Sequence, residues 1–184
     1  MYENDHDAIA ACLAGKRQAF ETLVEKYARR MYTVAYRFMQ NHEDTRDVVQ
    51  ESFVAAYNAL DRFDQSRKFV TWLLAITTKQ SLYRLRQRKT VSRHTVPLEE
   101  DRIANGSLPE TILERREQQR NIEETISALE PKYRSVLVLR HFEHLSYDEI
   151  AATLDLPLGT VKTTLFRARK MFAKLLRQRE EGLG

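Results

Sequence analysis

Apolar positions recur at helical spacing along almost the whole chain. Phe20, Leu23, Val24, Tyr27, Met31, Val34, Ala35 and Phe38 follow i, i+3, i+4, i+7 and onward, which predicts one long amphipathic helix. Asn41 is placed to cap a second, with Val49, Phe53, Ala56, Tyr57 and Leu60 as its apolar side. A loop over 61–68 leads to a third, which carries Phe69, Trp72, Leu73 and Ile76 and ends in a basic stretch at Lys89. At Thr90 the pattern stops. Pro97, the acidic trio Glu99, Glu100 and Asp101, and Asn105-Gly106-Ser107 mark an irregular stretch to about Pro109. Beyond it the spacing predicts a polar helix over 110–129. The next starts at Pro131, where a proline's missing amide hydrogen costs nothing, and carries Tyr133, Val136, Leu137 and Leu139. With only 5 glycines and 4 prolines among 184 residues and almost no alternating segments, the expected fold is all-α. It comprises two small helical domains, 1–89 and 113–184, joined by a flexible linker over 90–112.

The segment from Leu145 to Lys170 is the most specific part of this pattern. Ser146 can accept from the amide of Glu149 while the Glu149 carboxylate reaches back, a capping box that opens a helix with Ile150, Ala151 and Leu154 facing inward. Pro157 and Gly159 place a turn at 155–159, Gly159 supplying tolerance of positive φ, and Thr160 is placed to cap a further helix. In that helix Val161, Leu165, Ala168, Phe172, Leu175 and Leu176 keep the 3.6-residue period. Thr160, Thr163, Thr164 and Arg167 fall together on another face, flanked by Lys162, Arg169, Lys170 and Lys174. Short hydrogen-bonding side chains near a helix N-terminus suit base edges in the major groove, and the flanking cations suit phosphates. The C-terminal domain therefore reads as containing a helix-turn-helix. An amphipathic pair in an ordinary bundle, its basic face merely solvated, is the competing reading.

Charge sharpens the picture. A net charge of +4 is mild, but two basic clusters stand apart in sequence: Arg84, Arg86, Arg88, Lys89 and Arg93, and Lys162, Arg167, Arg169, Lys170, Lys174, Arg177 and Arg179. Two contacts with a polyanion are the expectation, each weakened by salt. Against this background Asp44, Asp47 and Glu51, at i, i+3 and i+7, make one helix face acidic, roughly opposite its apolar side. Carboxylates repel phosphates, so this face suits a basic protein partner; a plain solubilising face is the alternative. Trp72 lies on a helix that mixes aromatic and basic residues, and its ring can either stack on an unpaired base or belong to the core.

Other chemistries find little support. Cys12, the single cysteine, sits in an N-terminal helix without a partner base and permits neither an internal disulfide nor a cysteine metal site. His141-Phe-Glu-His144 lacks both the i, i+4 spacing of zinc proteases and an evident third ligand, and no glycine-rich phosphate loop occurs. No metal, no cofactor and no enzymatic activity are expected. No apolar run approaches the roughly 20 residues needed to cross a bilayer, so a soluble cytoplasmic protein without membrane insertion is expected.

Taken jointly, these motifs resemble those of a known family. Asp47-Val-Val-Gln-Glu-Ser-Phe53, Ala59-Leu-Asp-Arg-Phe63 and Phe69-Val-Thr-Trp-Leu73 resemble the region-two domain of the extracytoplasmic-function (ECF) sigma factors of RNA polymerase. Leu129-Glu-Pro-Lys-Tyr-Arg134, Leu145-Ser-Tyr-Asp-Glu-Ile-Ala151 and Pro157-Leu-Gly-Thr-Val-Lys162 resemble their region-four domain, in the same order and with a linker between. The resemblance implies a transcription initiation factor. In it, Asp44, Asp47, Gln50 and Glu51 would bind the β′ clamp helices of core RNA polymerase. Asp61, Arg62, Phe63, Asp64 and Lys68 in the loop, with Trp72, Lys79, Gln80, Tyr83 and Arg84 on the helix, would read promoter DNA at the minus-10 element. Thr160, Lys162, Thr163, Thr164, Phe166, Arg167 and Lys170 would read the minus-35 duplex, with region four also touching the β flap. An anti-sigma factor, often membrane-tethered in the family, is a further implied partner. The chain departs from the family where Lys79 replaces a common asparagine, where Tyr83 replaces a commonly acidic residue, and where Thr163-Thr164 replaces a common serine and arginine. Its promoter preference therefore does not carry over. A self-sufficient helix-turn-helix regulator and an enzyme acting on nucleic acid are the rival readings.

Overall fold

The computed structural model describes residues 2, 4–91 and 110–182. Eight α-helices and no strand occur among them: α1 Asp5–Leu13, α2 Ala19–Met39, α3 His42–Asn58, α4 Phe69–Val91, α5 Glu110–Ala128, α6 Pro131–His141, α7 Tyr147–Leu154 and α8 Leu158–Gly182. Helices α4 and α5 extend into both ends of the expected linker. The acidic trio and Arg93 lie outside the described residues.

In the N-terminal half α2, α3 and α4 pack together, with α1 laid on α2. Asn4 Oδ1 accepts from the Asp7 amide at 2.9 Å to start α1. Asp5 then pins α1 to α2 by accepting from Tyr27 Oη at 2.5 Å and pairing with Lys26 at 2.6 Å. The long helix forms as its periodicity predicts, burying Phe20, Leu23, Tyr27, Met31, Val34, Ala35 and Phe38. It closes on Gln40 in the left-handed region, and Asn41 caps α3 through the Asp44 amide at 3.0 Å.

The buried side of α3 keeps Phe53 and Ala56, with Leu60 just beyond the helix, as expected, but is wider than the apolar residues alone. Thr45, Val48, Ser52, Phe53 and Ala56 are buried, whereas Val49 is half-buried and Tyr57 is exposed. Small hydroxyl side chains enter the core because they satisfy themselves within the helix: Thr45 Oγ1 donates to the Asn41 carbonyl at 2.5 Å and Ser52 Oγ to that of Val48 at 2.6 Å. The same device operates in α4. There Thr77 donates to the Leu73 carbonyl at 3.0 Å and Ser81 to that of Thr77 at 2.8 Å, so both pack beside Phe69, Leu73 and Leu74.

In the C-terminal half α6 packs on α8, flanked by α5 and α7. The capping box forms in both directions, Ser146 N to Glu149 Oε2 at 2.7 Å and Glu149 N to Ser146 Oγ at 3.2 Å. The Ser146 hydrogen bonds hold the Glu149 carboxyl below its ordinary range, with a smaller contribution from Lys68. A depressed carboxyl stabilises the fold above its unfolded pKa and loses that contribution as pH falls through the folded value. Accordingly, Glu149→Gln should cost about 1 kcal/mol at neutral pH, and the gap from the parent chain should narrow as the parent's Glu149 carboxyl is protonated in acid, read by thermal melts at neutral and acidic pH.

The turn between α7 and α8 is shorter than expected. Asp155, not Gly159, takes the left-handed conformation at φ 55°. Leu158 and Gly159 are already helical, the Pro157 carbonyl accepts from Thr160 and Val161 at 2.9 and 3.1 Å, and Thr160 is thus the third residue of α8 rather than its cap. Leu145, Ile150, Thr153, Val161, Leu165 and Ala168 are buried together.

The two halves are docked. Helix α2 meets α5 and α6, and α4 meets α6 and α7. Arg30 Nε pairs with the buried Glu143 at 2.7 Å, the Arg37 guanidinium lies over the Phe142 ring at 4.0 Å, and Arg134 reaches the Phe38 carbonyl at 2.6 Å.

Candidate nucleic-acid interface

Helix α8 carries the first candidate surface. Because Val161, Leu165 and Ala168 bury one side completely, Thr160, Lys162, Thr163, Phe166, Arg167 and Lys170 are left exposed, with Thr164 half-buried at the margin. Thr163 Oγ1 donates back to the Gly159 and Thr160 carbonyls at 3.0 Å each, so its methyl group and a lone pair face outward. Phe166 is 59% exposed, with Lys170 Nζ 4.6 Å from its ring centroid. A large exposed apolar ring amid cations is costly unless something covers it. Behind the helix, Arg169 Nε donates to His141 Nε2 at 3.3 Å, which requires that nitrogen to be unprotonated. Burial first, then Arg169 and Arg140, push the His141 imidazole down. His141 is thus a support for α8. No three His, Cys, Asp or Glu among the described residues are placed to hold a metal ion.

The second surface combines α4 with the loop before it. A 3-10 turn over Leu60–Arg62 opens the loop, and Asp64 Oδ1 then accepts from Ser66 N at 3.0 Å and Ser66 Oγ at 2.7 Å. The Ser66 bonds hold the Asp64 carboxyl below its usual range. This turn leaves Asp61, Arg62, Asp64 and Lys68 exposed. Phe63 behaves otherwise: it is 7% exposed, edge-on to Phe69 at 5.7 Å and 4.9 Å from Trp72. Phe63 therefore supports Trp72 from the core side of the loop. Trp72 is half-buried on this cluster, in line with Lys79 and Tyr83, which are exposed, the latter by 56%.

The acidic residues of α3 form the third surface. With the buried side of α3 centred on Val48 and Ser52, Asp44, Asp47 and Glu51 flank the helix towards α4 instead of lying opposite its core. Arg84 Nη2 pairs with Asp47 at 2.8 Å and Glu51 at 3.5 Å, and Arg88 pairs with Asp44. The spacing contains this signal: acids at i, i+3 and i+7 meet Arg88 and Arg84 in reversed order, as antiparallel neighbours must. Asp47 and Glu51 nevertheless keep about half their side-chain surface in solvent, 51% and 48%. Beside them Gln50 and Arg46 border an apolar groove between α2 and α3, floored by Val24, Ala28, Val49 and Phe53.

Comparison with known proteins fits this layout. Residues 23–91 match the family profile described as Sigma-70 region 2, and residues 119–172 that described as Sigma-70, region 4. The ECF RNA polymerase sigma factor SigW of Bacillus subtilis is 35% identical over 171 residues, which is 89% of this chain and 91% of that protein. The chain belongs to the ECF sigma factors. The RNA polymerase sigma-H factor of Pseudomonas aeruginosa is 33% identical over 95% of this chain and 94% of its own length. The ECF RNA polymerase sigma-E factor of Escherichia coli K12 is 34% identical, with 85% of each chain covered. Among solved structures, CnrH in complex with the cytosolic domain of CnrY superimposes with a TM-score of 0.66 at 29% identity, covering 93% of this chain and 96% of that one. The sigma factor RpoE of Bartonella quintana, in complex with the anti-sigma factor NepR, shares the fold with a TM-score of 0.67 at 22% identity, over 86% and 96% of the two chains. The chain is thus an alternative sigma factor that directs transcription, and the self-sufficient regulator is not favoured. Sigma factors are not enzymes. No helix among the described residues of this sigma factor is long and apolar enough to cross a membrane.

Proposed function

We propose that this sigma factor joins core RNA polymerase through Asp44, Asp47, Gln50 and Glu51, with the β′ clamp helices as the basic partner. Helix α8 then reads the minus-35 duplex through Thr160, Lys162, Thr163, Thr164, Arg167 and Lys170. The exposed loop residues with Trp72, Lys79, Gln80 and Tyr83 hold the melted minus-10 strand. Phe166 is offered either to a thymine methyl or to the β flap. The observation that carries this reading is the coexistence of two solvent-open surfaces of opposite sign, the acids of α3 and the threonine and cation face of α8. Asp47 and Glu51, though paired with Arg84, keep about half their side-chain surface in solvent, where a basic partner can reach them.

The docked arrangement belongs to the free factor. Two promoter elements centred about 25 base pairs apart lie roughly 85 Å from each other at 3.4 Å per base pair. A compact body of this length has a radius of gyration of only about 16 Å. The 18 residues from 92 to 109, fully extended, add at most about 60 Å. The halves must therefore part when polymerase holds them on a promoter, which gives residues 1–89 and 113–184 the standing of domains. Polymerase supplies the spacing and raises the effective concentration of the second contact. Acting on chromosomal promoters, the factor would work in the cytoplasm. An anti-sigma factor is the natural regulator, as the Bartonella quintana sigma factor RpoE is found in complex with the anti-sigma factor NepR.

The minus-35 assignment has a direct test. Arg167→Ala should weaken initiation by about 1–3 kcal/mol on a cognate promoter if Arg167 reads a base. Run-off assays on cognate and scrambled minus-35 elements decide it, since an equal loss on both reduces Arg167 to a phosphate contact.

A further inference from the structure

Arg84 belongs to two surfaces at once. It sits on the minus-10 helix, yet its guanidinium is spent on Asp47 and Glu51, the carboxylates that face polymerase in the proposed function. Arg84 occupies Asp47 Oδ2 and Glu51 Oε1, so a partner's cation drawn to these two carboxylates meets a competing charge already in place. We propose that Arg84 is handed over: it neutralises Asp47 and Glu51 in the free factor, is displaced when a basic residue of polymerase takes those carboxylates, and then binds a phosphate of the minus-10 strand. This rests on the proposed polymerase and minus-10 contacts.

Three features make the exchange physically economical. The ion pair is open to water, with Asp47 and Glu51 half exposed and Arg84 26% exposed, so it contributes at most about fivefold to an equilibrium and is readily replaced. After the exchange every charge keeps an opposite partner, which avoids stranding a desolvated cation. Arg84 Nε is shielded and has no acceptor in the free factor, so release from the two carboxylates lets the whole planar fork turn outward, where a phosphate can accept from it side-on. Position fits as well. Gln80 and Arg84 lie at i and i+4 on one ridge of α4, next to Lys79 and Tyr83. Arg88 stays behind as the anchor: it holds Asp44 and donates to the Met39 carbonyl at 3.2 Å, so freeing Arg84 does not unpack α3 from α4. Handover would make promoter contact conditional on polymerase binding.

Two measurements on the full chain test it. Arg84→Ala should bind core polymerase, without DNA, about two- to fivefold more tightly, because an internal competitor is gone. Losing a contact or a structural bridge would give unchanged or weaker binding, and that result overturns the proposal. In the free chain, Arg84→Ala should leave affinity for a mixed-sequence single-stranded 12-mer nearly unchanged. In an Asp47→Asn, Glu51→Gln background, where Arg84 is released, the same change should cost about three- to tenfold and flatten the salt dependence. Equal effects in the two backgrounds also overturn it, and Arg84→Lys should restore the binding lost in the neutralised background. If the parent chain fails to bind polymerase at all, the polymerase assignment is what falls; binding without tightening in Arg84→Ala removes the handover alone.

Discussion

Replacing Asp47 and Glu51 together by arginine should abolish binding to core RNA polymerase while leaving the chain folded. Both carboxylates stand half in solvent beside the groove bordered by Gln50, and both now meet a cation of their own chain. Reversal sets two guanidinium groups against Arg84 and against any basic partner. Within the fold, the loss is that of exposed ion pairs, on the order of 0.2–1 kcal/mol each, because Thr45, Val48, Ser52 and Ala56 on the buried side are untouched. Across an interface of opposite charge the same change costs about 3 kcal/mol or more, roughly a hundredfold or greater in affinity. A pull-down with core polymerase and a thermal melt of the same preparation check both halves of the expectation. Retained affinity would remove α3 from the polymerase contact.

Arg134→Ala should produce the largest loss of stability of any single change in the C-terminal half. Arg134 is 7% exposed and donates to three carbonyls: that of Leu129 at 3.1 Å, that of Phe38 at 2.6 Å, and that of Ser127. Burial pulls its guanidinium down to about 10, which still leaves it charged at neutral pH. Truncation leaves three buried acceptors without donors and a cavity between α5, α6 and the end of α2. At about 1–3 kcal/mol for each unmet group, discounted for water entering the space, the cost is about 3–5 kcal/mol. For a chain of this size that lowers Tm by roughly 8–15 °C. Because Phe38 belongs to one half and Ser127 and Leu129 to the other, the variant should also melt in two steps where the parent melts in one. Calorimetry reads both, and Arg134→Lys, able to keep one of the carbonyls, should recover part of the loss.

The helices themselves were legible because their apolar positions repeat, and the Ser146 capping box because its geometry is local. Apolar side chains alone locate Phe53, Ala56 and Leu60 in the core but not the full buried side of α3, since Thr45 and Ser52 enter the core by bonding to their own backbone. That narrower reading turned the acidic stripe outward and hid its pairing with Arg84 and Arg88. Phe63 looked like a loop residue by position, but its ring is claimed by Phe69 and Trp72. The turn before α8 is shorter than Pro157 and Gly159 suggest because Asp155, not a glycine, adopts positive φ. Docking of the halves left no periodic signal at all. It depends on a carbonyl of Phe38, a cation over Phe142, and an ion pair between Arg30 and Glu143, 113 positions apart.

The most direct test of the central claim is run-off transcription from a genomic fragment library with core RNA polymerase in the presence and absence of this chain. Discrete transcripts that require both components are expected, with start sites preceded by two elements at a fixed spacing. No chain-dependent transcript, together with tight polymerase-free binding to a palindromic site, would contradict that claim.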